Sequence, residues 1–287
     1  MIYWGQIKCQ GMKRDGEKCG NGAYYLCDEK YLCGVHSRGK DREELEKNDS
    51  WKEKSIEDDM KECERIAKEN KEKGIKGNVI VCKMDFRKNP DVPKGYVKVF
   101  PNRDHGGRKD GLGMPSLSPF NLGPVKHCYP EVVINGEKVK IPNASCLESF
   151  HQFSKCYKDE VDKDENPTEE FFECMVENFQ KEGQRHKRKG EKPLFSIFFN
   201  SKGKMKKFDY KLGRKLYCRL YVILSEQKKD LKKLKKMIND GYNIAICGFD
   251  GYSIEDLEKD FKDLSKPFGH ERVLYTLLKH DGNYPWD

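Results

Sequence analysis

The sequence predicts an α+β fold, with a mainly helical body that carries a few strands and a small cysteine-rich module before it. Several segments after residue 46 place apolar residues at the spacing of amphipathic helices. A few short apolar runs are β-prone instead. The first 40 residues hold four cysteines and a histidine. We therefore expect a module at 1–45, a helix and strand connector at 46–100 and a body at 101–287.

The composition indicates a folded protein with a polar surface. Charged residues make up 36% of the 287 residues, while an aromatic content of 11% argues against a disordered chain. The net charge of +8 suits an anionic ligand or nucleic acid. Neither a membrane span nor a signal peptide is visible. We expect an intracellular protein with no membrane partner, whose cysteines are thiols or metal ligands.

The connector and the start of the body alternate between regular elements and loops. Residues 48–73 predict a helix from the spacing of their apolar residues, and 78–84 and 95–100 read as strands. The stretch 101–130 is rich in glycine and proline. A loop of that length in a compact domain is usually functional or disordered.

Helices dominate the predicted remainder of the body. Two strands are expected, at 194–199 and within 242–252, the second one apolar and followed by a turn at Gly248. Helices are expected at 143–157, 166–183, 210–226, 228–240, 253–264 and 270–280.

The N-terminal module predicts a structural zinc site. Zinc prefers four sulfur or nitrogen ligands in a tetrahedron, and Cys33 and His36 form a natural half-site. Cys9 and Cys19 complete the expected set, although Cys27 is an alternative to Cys9. A site filled by four protein ligands is closed and is not catalytic. The pattern resembles small Cys/His modules of uncharacterised proteins from large DNA viruses, which implies a docking or nucleic-acid-contacting role.

The segment "NASCLESFHQFSKCY" (143–157) raises the question of a pocket. Read as a helix, it aligns Glu148, His151, Gln152 and Lys155 on one side, next to an apolar side. This polar side either lines a pocket or faces solvent. The breadth of the apolar side favours a pocket.

A preceding segment, "LSPFNLGPV" (117–125), carries a resemblance together with this helix. The order resembles the NADAR family, in which a loop of the type LSNF-x-P precedes a helix of the form E-H-x-x-Q-x-x-K. The Trp and Asn of that family's C-terminal signature are absent from "DLSKPFGHERVLYTLL". The matching positions are Ser118, Pro119 and Phe120 in the loop and Glu148, Gln152 and Lys155 on the helix.

The resemblance implies an N-glycosidase that binds or cleaves an ADP-ribose-like or nucleoside-like ligand. It assigns Glu148 to the ribose or the attacking water, and Gln152 and Lys155 to polar groups of the ligand. A carboxylate stabilises the positive charge that develops on the sugar. His151 or His270 would protonate the leaving nitrogen. A diphosphate needs cations, for which the candidates are Arg214, Arg219 and the loop 184–189.

Two further positions near the C-terminus are candidates. Asp250 follows an apolar strand, where a carboxylate either binds a ligand or satisfies a tight turn. His270 starts a helix and can reach a ligand. Its neighbour Glu271 reads as a partner of the helix dipole. The candidate site comprises catalytic Glu148 and His270 with ligand-binding Phe120, Gln152, Lys155, Arg214 and Asp250.

A non-enzymatic role is the alternative. Basic clusters at 184–189, 202–207 and 228–236 suit nucleic-acid binding if they share a face, although such runs are often solvated surfaces. A virion-associated structural protein is a further alternative, in the host cytoplasm or the virion if the protein is viral. No P-loop, nucleophile elbow or HExxH motif is present. The sequence does not predict an oligomeric state.

Overall fold

The protein is described by a computed structural model that falls into two compact units. These are Met1–Asp58, called here the N-terminal unit, and Asp59–Asp287, the C-terminal unit. The structure describes residues 7–45, 50–84, 90–126, 129–186, 188, 191–200, 202–280 and 282–287.

The N-terminal unit is built on a small antiparallel sheet. Its strands are β1 (Tyr25–Cys27), β2 (Lys30–Leu32) and β3 (Glu43–Glu44), with β1 in the middle. Asp28 and Glu29 join β1 to β2 with positive φ at both residues, as a tight hairpin requires. The buried cluster of this unit consists of four cysteines and Leu32, so a hydrophobic core hardly exists without them.

A four-stranded parallel sheet forms the centre of the C-terminal unit. The strand order is β4, β12, β5, β6, and every neighbouring pair is parallel. The run "NIAICG" of β12 is almost wholly buried, as expected for the inner strand of a covered parallel sheet. The four strands are β4 (Val79–Lys83), β5 (Tyr96–Phe100), β6 (Leu112–Gly113) and β12 (Asn243–Gly248).

Two antiparallel sheets complete the β-structure of this unit. β7 (Glu131–Ile134) and β8 (Glu137–Lys140) form a hairpin around Asn135 and Gly136, which both have positive φ. The second sheet has the order β11, β10, β9. Its strands are β9 (Lys155–Cys156), β10 (Phe195–Phe199) and β11 (Met205–Phe208).

Seven α-helices lie within the described residues, and α7 is the most deeply buried of them. It packs on β4 and β12, and α4 packs on α7 and α2. None of the described helices is both long enough and apolar enough to cross a membrane. The helices are α1 (Ser50–Glu72), α2 (Leu147–Phe153), α3 (Glu169–Gln180), α4 (Tyr210–Ser225), α5 (Lys229–Asn239), α6 (Leu257–Lys262) and α7 (His270–Lys279).

The prediction of a mainly helical body with a few strands is wrong. About 34% of the residues are helical and about 20% are in strands, which form several sheets. The missed strands are only two to five residues long, and their polar side chains give little periodic signal. One signal was available, since Asn135-Gly136 between "EVVI" and "EKVK" is a strong hairpin pattern.

The helix predicted at 143–157 is also shorter than expected. Cys146 is its N-cap, and its sulfur accepts a hydrogen bond from Ser149 N. The helix ends at Phe153, and Lys155 lies on β9, paired with Ser196 of β10. Lys155 therefore reaches the neighbourhood of Glu148 from a strand and not from the next helical turn.

Candidate functional site

The N-terminal unit gathers three cysteines and one histidine into a group that could hold a metal ion. One ligand atom from each side chain lies within 4.8 Å of the others. Cys19 Sγ and Cys33 Sγ are 3.9 Å apart. His36 Nδ1 lies 3.4 Å from Cys9 Sγ and 3.3 Å from Cys33 Sγ. These are the four residues that the sequence analysis selected.

Backbone groups orient the ligand atoms of this cluster. His36 Nε2 lies 2.9 Å from the carbonyl oxygen of Met12. If this nitrogen donates to the carbonyl, Nδ1 keeps its lone pair for a metal. The amides of Gly11 and Cys33 donate to Cys9 Sγ over 3.4 and 3.2 Å. Such bonds favour the thiolate, which is the form of cysteine that binds metals.

Two of the thiols differ in their ionisation. Burial raises the pKa of Cys9 above its ordinary value. Burial acts in the same direction on Cys33, but hydrogen bonds from the backbone and ring of His36 outweigh it and lower the pKa to about 6. Cys27, the alternative to Cys9, is buried in the same small core but is not a member of the four-residue group.

The C-terminal unit contains a cavity of about 760 Å³. Residues 102–105, which follow β5, and Phe249 and Asp250, which follow β12, line one side of it. The cavity thus opens at the carboxyl ends of two parallel strands, where ligands of open α/β sheets usually bind. The loop 118–120, helices α2 and α4 and the start of α7 supply other walls.

All seven residues of the predicted body site line this cavity. They come from six separate segments of the chain, and the fold brings them together. They are Phe120, Glu148, Gln152, Lys155, Arg214, Asp250 and His270. The polar side of α2 therefore faces a cavity, as the breadth of its apolar side suggested.

A chain of hydrogen bonds connects the three polar residues of the α2 segment. The Glu148 side chain is buried, with only 7% of the residue exposed. Gln152 Nε2 donates to Glu148 Oε1 over 2.8 Å, and Lys155 Nζ lies 3.4 Å from Gln152 Oε1. The Gln152 amide thus fixes the carboxylate on one side and faces the ammonium group on the other.

The loop at 118–122 holds the N-terminus of α2 directly. Leu147 N donates to Leu122 O over 2.7 Å, and Glu148 N donates to Pro119 O over 2.9 Å. These bonds satisfy amides that a helix N-terminus otherwise leaves without partners. The two segments that carry the family resemblance are therefore in direct contact.

The charges along this wall affect two neighbouring groups. Burial lowers the pKa of Lys155, and Arg185 adds to the effect, while the carboxylate of Glu148 opposes it. Burial, followed by the charge of Lys155, holds the pKa of His151 well below its usual range. The His151 ring packs 4.9 Å from that of Tyr217. His151 is therefore a neutral wall residue at neutral pH.

His270 and Glu271 form a close pair at the start of α7. His270 Nδ1 lies 3.3 Å from Glu271 Oε2, and only 1% of Glu271 is exposed. Neither His270 Nε2 nor Glu271 Oε2 has a hydrogen-bond partner within the described part of the chain. Such buried atoms cost about 1–3 kcal/mol each, so they call for a functional or structural explanation.

Arg214 has a structural role that the sequence did not predict. Its guanidinium donates to three backbone carbonyls, from Phe261, Asp263 and Lys266, over 2.7 to 2.9 Å. The side chain also stacks near Tyr210. Its expected role as a phosphate ligand has little support, because these donors hold the loop before α7.

We expect Arg214→Lys to destabilise the C-terminal unit by about 3 kcal/mol, because one ammonium group cannot satisfy three buried carbonyls. Urea unfolding followed by circular dichroism measures this change. Arg219→Lys, on the exposed side of the same helix, is the control and should change stability by less than about 0.5 kcal/mol. Equal stability of the two variants would contradict the structural role.

The other candidates occupy less buried positions. The Phe120 ring lies under the guanidinium of Arg103, 4.7 Å from its centre. Asp250 is half-buried, and its backbone carbonyl accepts from Tyr252 N. In the cluster 228–236, leucines are buried and most lysines are exposed, which is the arrangement of a solvated helix face. In the cluster 184–189, Arg185 lines the cavity and Arg188 pairs with Asp159 and Glu160.

Sequence reasoning missed several cavity residues. Glu271 was read only as a partner of the helix dipole, although its place between Gly248 and Gly269 leaves room for a buried side chain. Other missed residues lack any motif and are brought in by the fold alone. They are Arg103, His105, Arg185, Tyr210, Tyr217 and Phe249.

Comparison with known proteins adds no assignment to this geometry. No family model, no curated protein and no solved structure matches the chain.

Proposed function

We propose that the C-terminal unit binds a nucleoside-like or ADP-ribose-like ligand in its cavity and cleaves the N-glycosidic bond. One observation carries the proposal: the seven residues selected from the sequence line a single cavity. The resemblance to the NADAR family supplies the ligand class, and the buried Glu148 supplies the group that this reaction needs.

The size and lining of the cavity suit such a ligand. Its volume of about 760 Å³ lies in the range of pockets for small molecules and cofactors. Phe120, Phe249 and Tyr210 offer aromatic surface for a base. Lys155 and Arg185 offer positive charge for a phosphate.

Glu148 is the proposed catalytic carboxylate. As the bond from ribose carbon 1 to the base nitrogen breaks, positive charge develops on the sugar, and a nearby carboxylate stabilises it. Water then forms a bond to carbon 1 and gives its proton to Glu148. The Gln152 amide holds the carboxylate in one orientation throughout, through its 2.8 Å hydrogen bond.

His270 is the proposed proton donor to the leaving nitrogen. The sequence offered His151 and His270 for this role, and burial together with Lys155 keeps His151 uncharged at neutral pH. His270 lines the cavity beside the carboxylate of Glu271. A carboxylate partner favours the protonated imidazole that a general acid requires.

The metal of the N-terminal unit is, in our proposal, a structural zinc ion. A tetrahedral zinc site with Zn–S bonds of about 2.3 Å has S–S edges of about 3.8 Å and N–S edges of about 3.6 Å. The observed separations of 3.9 Å for Cys19–Cys33 and 3.3 to 3.4 Å for the edges to His36 fit this geometry. Four protein ligands leave no position for a substrate.

Titration calorimetry with ADP-ribose, followed by chromatography of base release from nucleosides and nucleotides, tests the proposed activity. We expect saturable binding of ADP-ribose and release of a base from at least one substrate. The alternative of nucleic-acid binding predicts another result: heat only with DNA or RNA, falling steeply as salt increases. That outcome would overturn the proposal.

Lys155→Ala should weaken ADP-ribose binding about tenfold, because it removes a cation from the cavity wall. Calorimetry at fixed ionic strength measures the change. Lys158→Ala, at a nearby exposed position, is the matched control and should leave the dissociation constant unchanged. Equal affinities for the two variants would remove Lys155 from the site.

A further inference from the structure

The buried carboxylate of Glu271 has no part in the reaction proposed above. It lies at the second position of α7, next to His270, and its Oε2 is 3.3 Å from His270 Nδ1. The atom is inaccessible to water and has no hydrogen-bond partner among the described residues. Glu271 therefore does not contact a ligand directly, and any effect on the cavity passes through a neighbour.

The backbone around this carboxylate is shaped to admit it. A Cβ on Gly248 would lie 1.9 Å from Glu271 Oε1, and a Cβ on Gly269 would lie 2.8 Å from Oε2. Both positions therefore need glycine for the side chain to fit as it does. The carboxylate is enclosed between the end of β12 and the N-cap of α7.

Other polar groups near the pair are committed elsewhere. The Tyr221 hydroxyl donates to Leu117 O over 2.8 Å, although its ring lies only 6.3 Å from that of His270. Arg272, the adjacent cation, pairs with Asp260 over 2.7 Å. The positive end of α7 favours the ionised carboxylate. His270 is thus the closest available partner for the carboxylate.

We infer that Glu271 is a positioning residue that holds the His270 imidazole with Nδ1 protonated, so that Nε2 serves the ligand. The geometry requires only a small alignment of the existing 3.3 Å contact. The same principle operates where a carboxylate fixes the tautomer of a histidine that acts through its other nitrogen. The catalytic part of the inference rests on the proposed function; the tautomer does not.

The tautomer is measured by long-range ¹H–¹⁵N correlation spectra of the labelled full chain at about pH 8, above the ordinary pKa of histidine. His270→Gln assigns the signals by their loss. We expect Nδ1 to carry the proton in the native protein and in Glu271→Gln, whose amide oxygen still accepts. In Glu271→Met, an unbranched side chain of similar length, the proton should move to Nε2.

Kinetics provides a second readout with the best substrate of the panel. His270→Gln should lower kcat about 100-fold, and Glu271→Met about tenfold, with KM nearly unchanged. Combining both changes should lower kcat no further than His270→Gln alone, because Glu271 acts through that imidazole. A purely structural loss would instead add to the effect of His270→Gln.

Two outcomes overturn the inference. One is a native His270 protonated at Nε2, or a tautomer that is the same in all variants. The other is full additivity of the two substitutions. If no substrate is cleaved, the proposed function fails, but the spectra still decide the role of Glu271. Glu271→Gln covers the case in which Glu271→Met does not fold, since kcat should then fall less than for His270→Gln.

Discussion

Replacing Cys33 with serine should release the metal and unfold most of the N-terminal unit. The buried cluster of this unit is formed by Cys9, Cys19, Cys27, Leu32 and Cys33, so it has little hydrophobic core to fall back on. In small metal modules the binding free energy, on the order of 10 kcal/mol, is the folding free energy. Cys33 also has the thiol most ready to ionise, with its pKa lowered to about 6.

Elemental analysis and native mass spectrometry measure this effect. We expect one zinc per native chain and none in Cys33→Ser, together with rapid proteolysis before residue 45. Cys27→Ser is the matched control, because Cys27 is buried in the same core but lies outside the metal-binding group. It should keep its zinc. Zinc retained by Cys33→Ser, or lost only in Cys27→Ser, would refute the assigned ligands.

Glu148→Gln should lower kcat for base release by about 10²–10³-fold while changing the dissociation constant of ADP-ribose by only a few-fold. The substitution keeps the shape of the side chain but removes the charge that stabilises the sugar cation. Binding depends instead on the remainder of the cavity, including Lys155 and the aromatic walls.

Single-turnover kinetics separates the chemical step from product release in this variant. Glu177→Gln, on the exposed face of α3 with Lys181 as its partner, is the control and should keep the native rate. A Glu148→Gln protein with native kcat would exclude Glu148 as the catalytic carboxylate. A variant that binds no ADP-ribose while the native protein does would place the residue in ligand binding instead.

The sequence predicted the elements whose side chains carry a strong period. Helices α3, α4 and α7 lie where the apolar spacing placed them, and so does the buried strand β12. The metal-binding residues were predictable for a similar reason, since Cys33 and His36 lie three residues apart and the needed residue types are rare. Short-range patterns of this kind are preserved in the fold.

The relative numbers of strands and helices were not predictable in the same way. The sheet β9–β11 joins segments about 40 residues apart, and its outer strands show no clean alternation. Lys155 illustrates the consequence. Helical spacing placed it on the same helix as Glu148, whereas tertiary pairing with Ser196 converts that part of the chain to a strand.

Side-chain roles depended on contacts that the sequence does not reveal. Arg214 was selected as a cation near a phosphate, and it does line the cavity. Its donors, however, are taken by carbonyls about 50 residues further along the chain. Glu271 shows the reverse error, because a residue assigned to helix capping proves to be enclosed next to His270.

The order of the parallel sheet has a consequence for synthesis on the ribosome. β4 and β5 both pair with β12 and not with each other. Neither strand can find its neighbour until residue 248 has left the exit tunnel, some 150 residues after β5. During translation, chaperones will therefore meet two apolar strands with unpaired edges, and a nonsense codon before β12 would leave them exposed permanently.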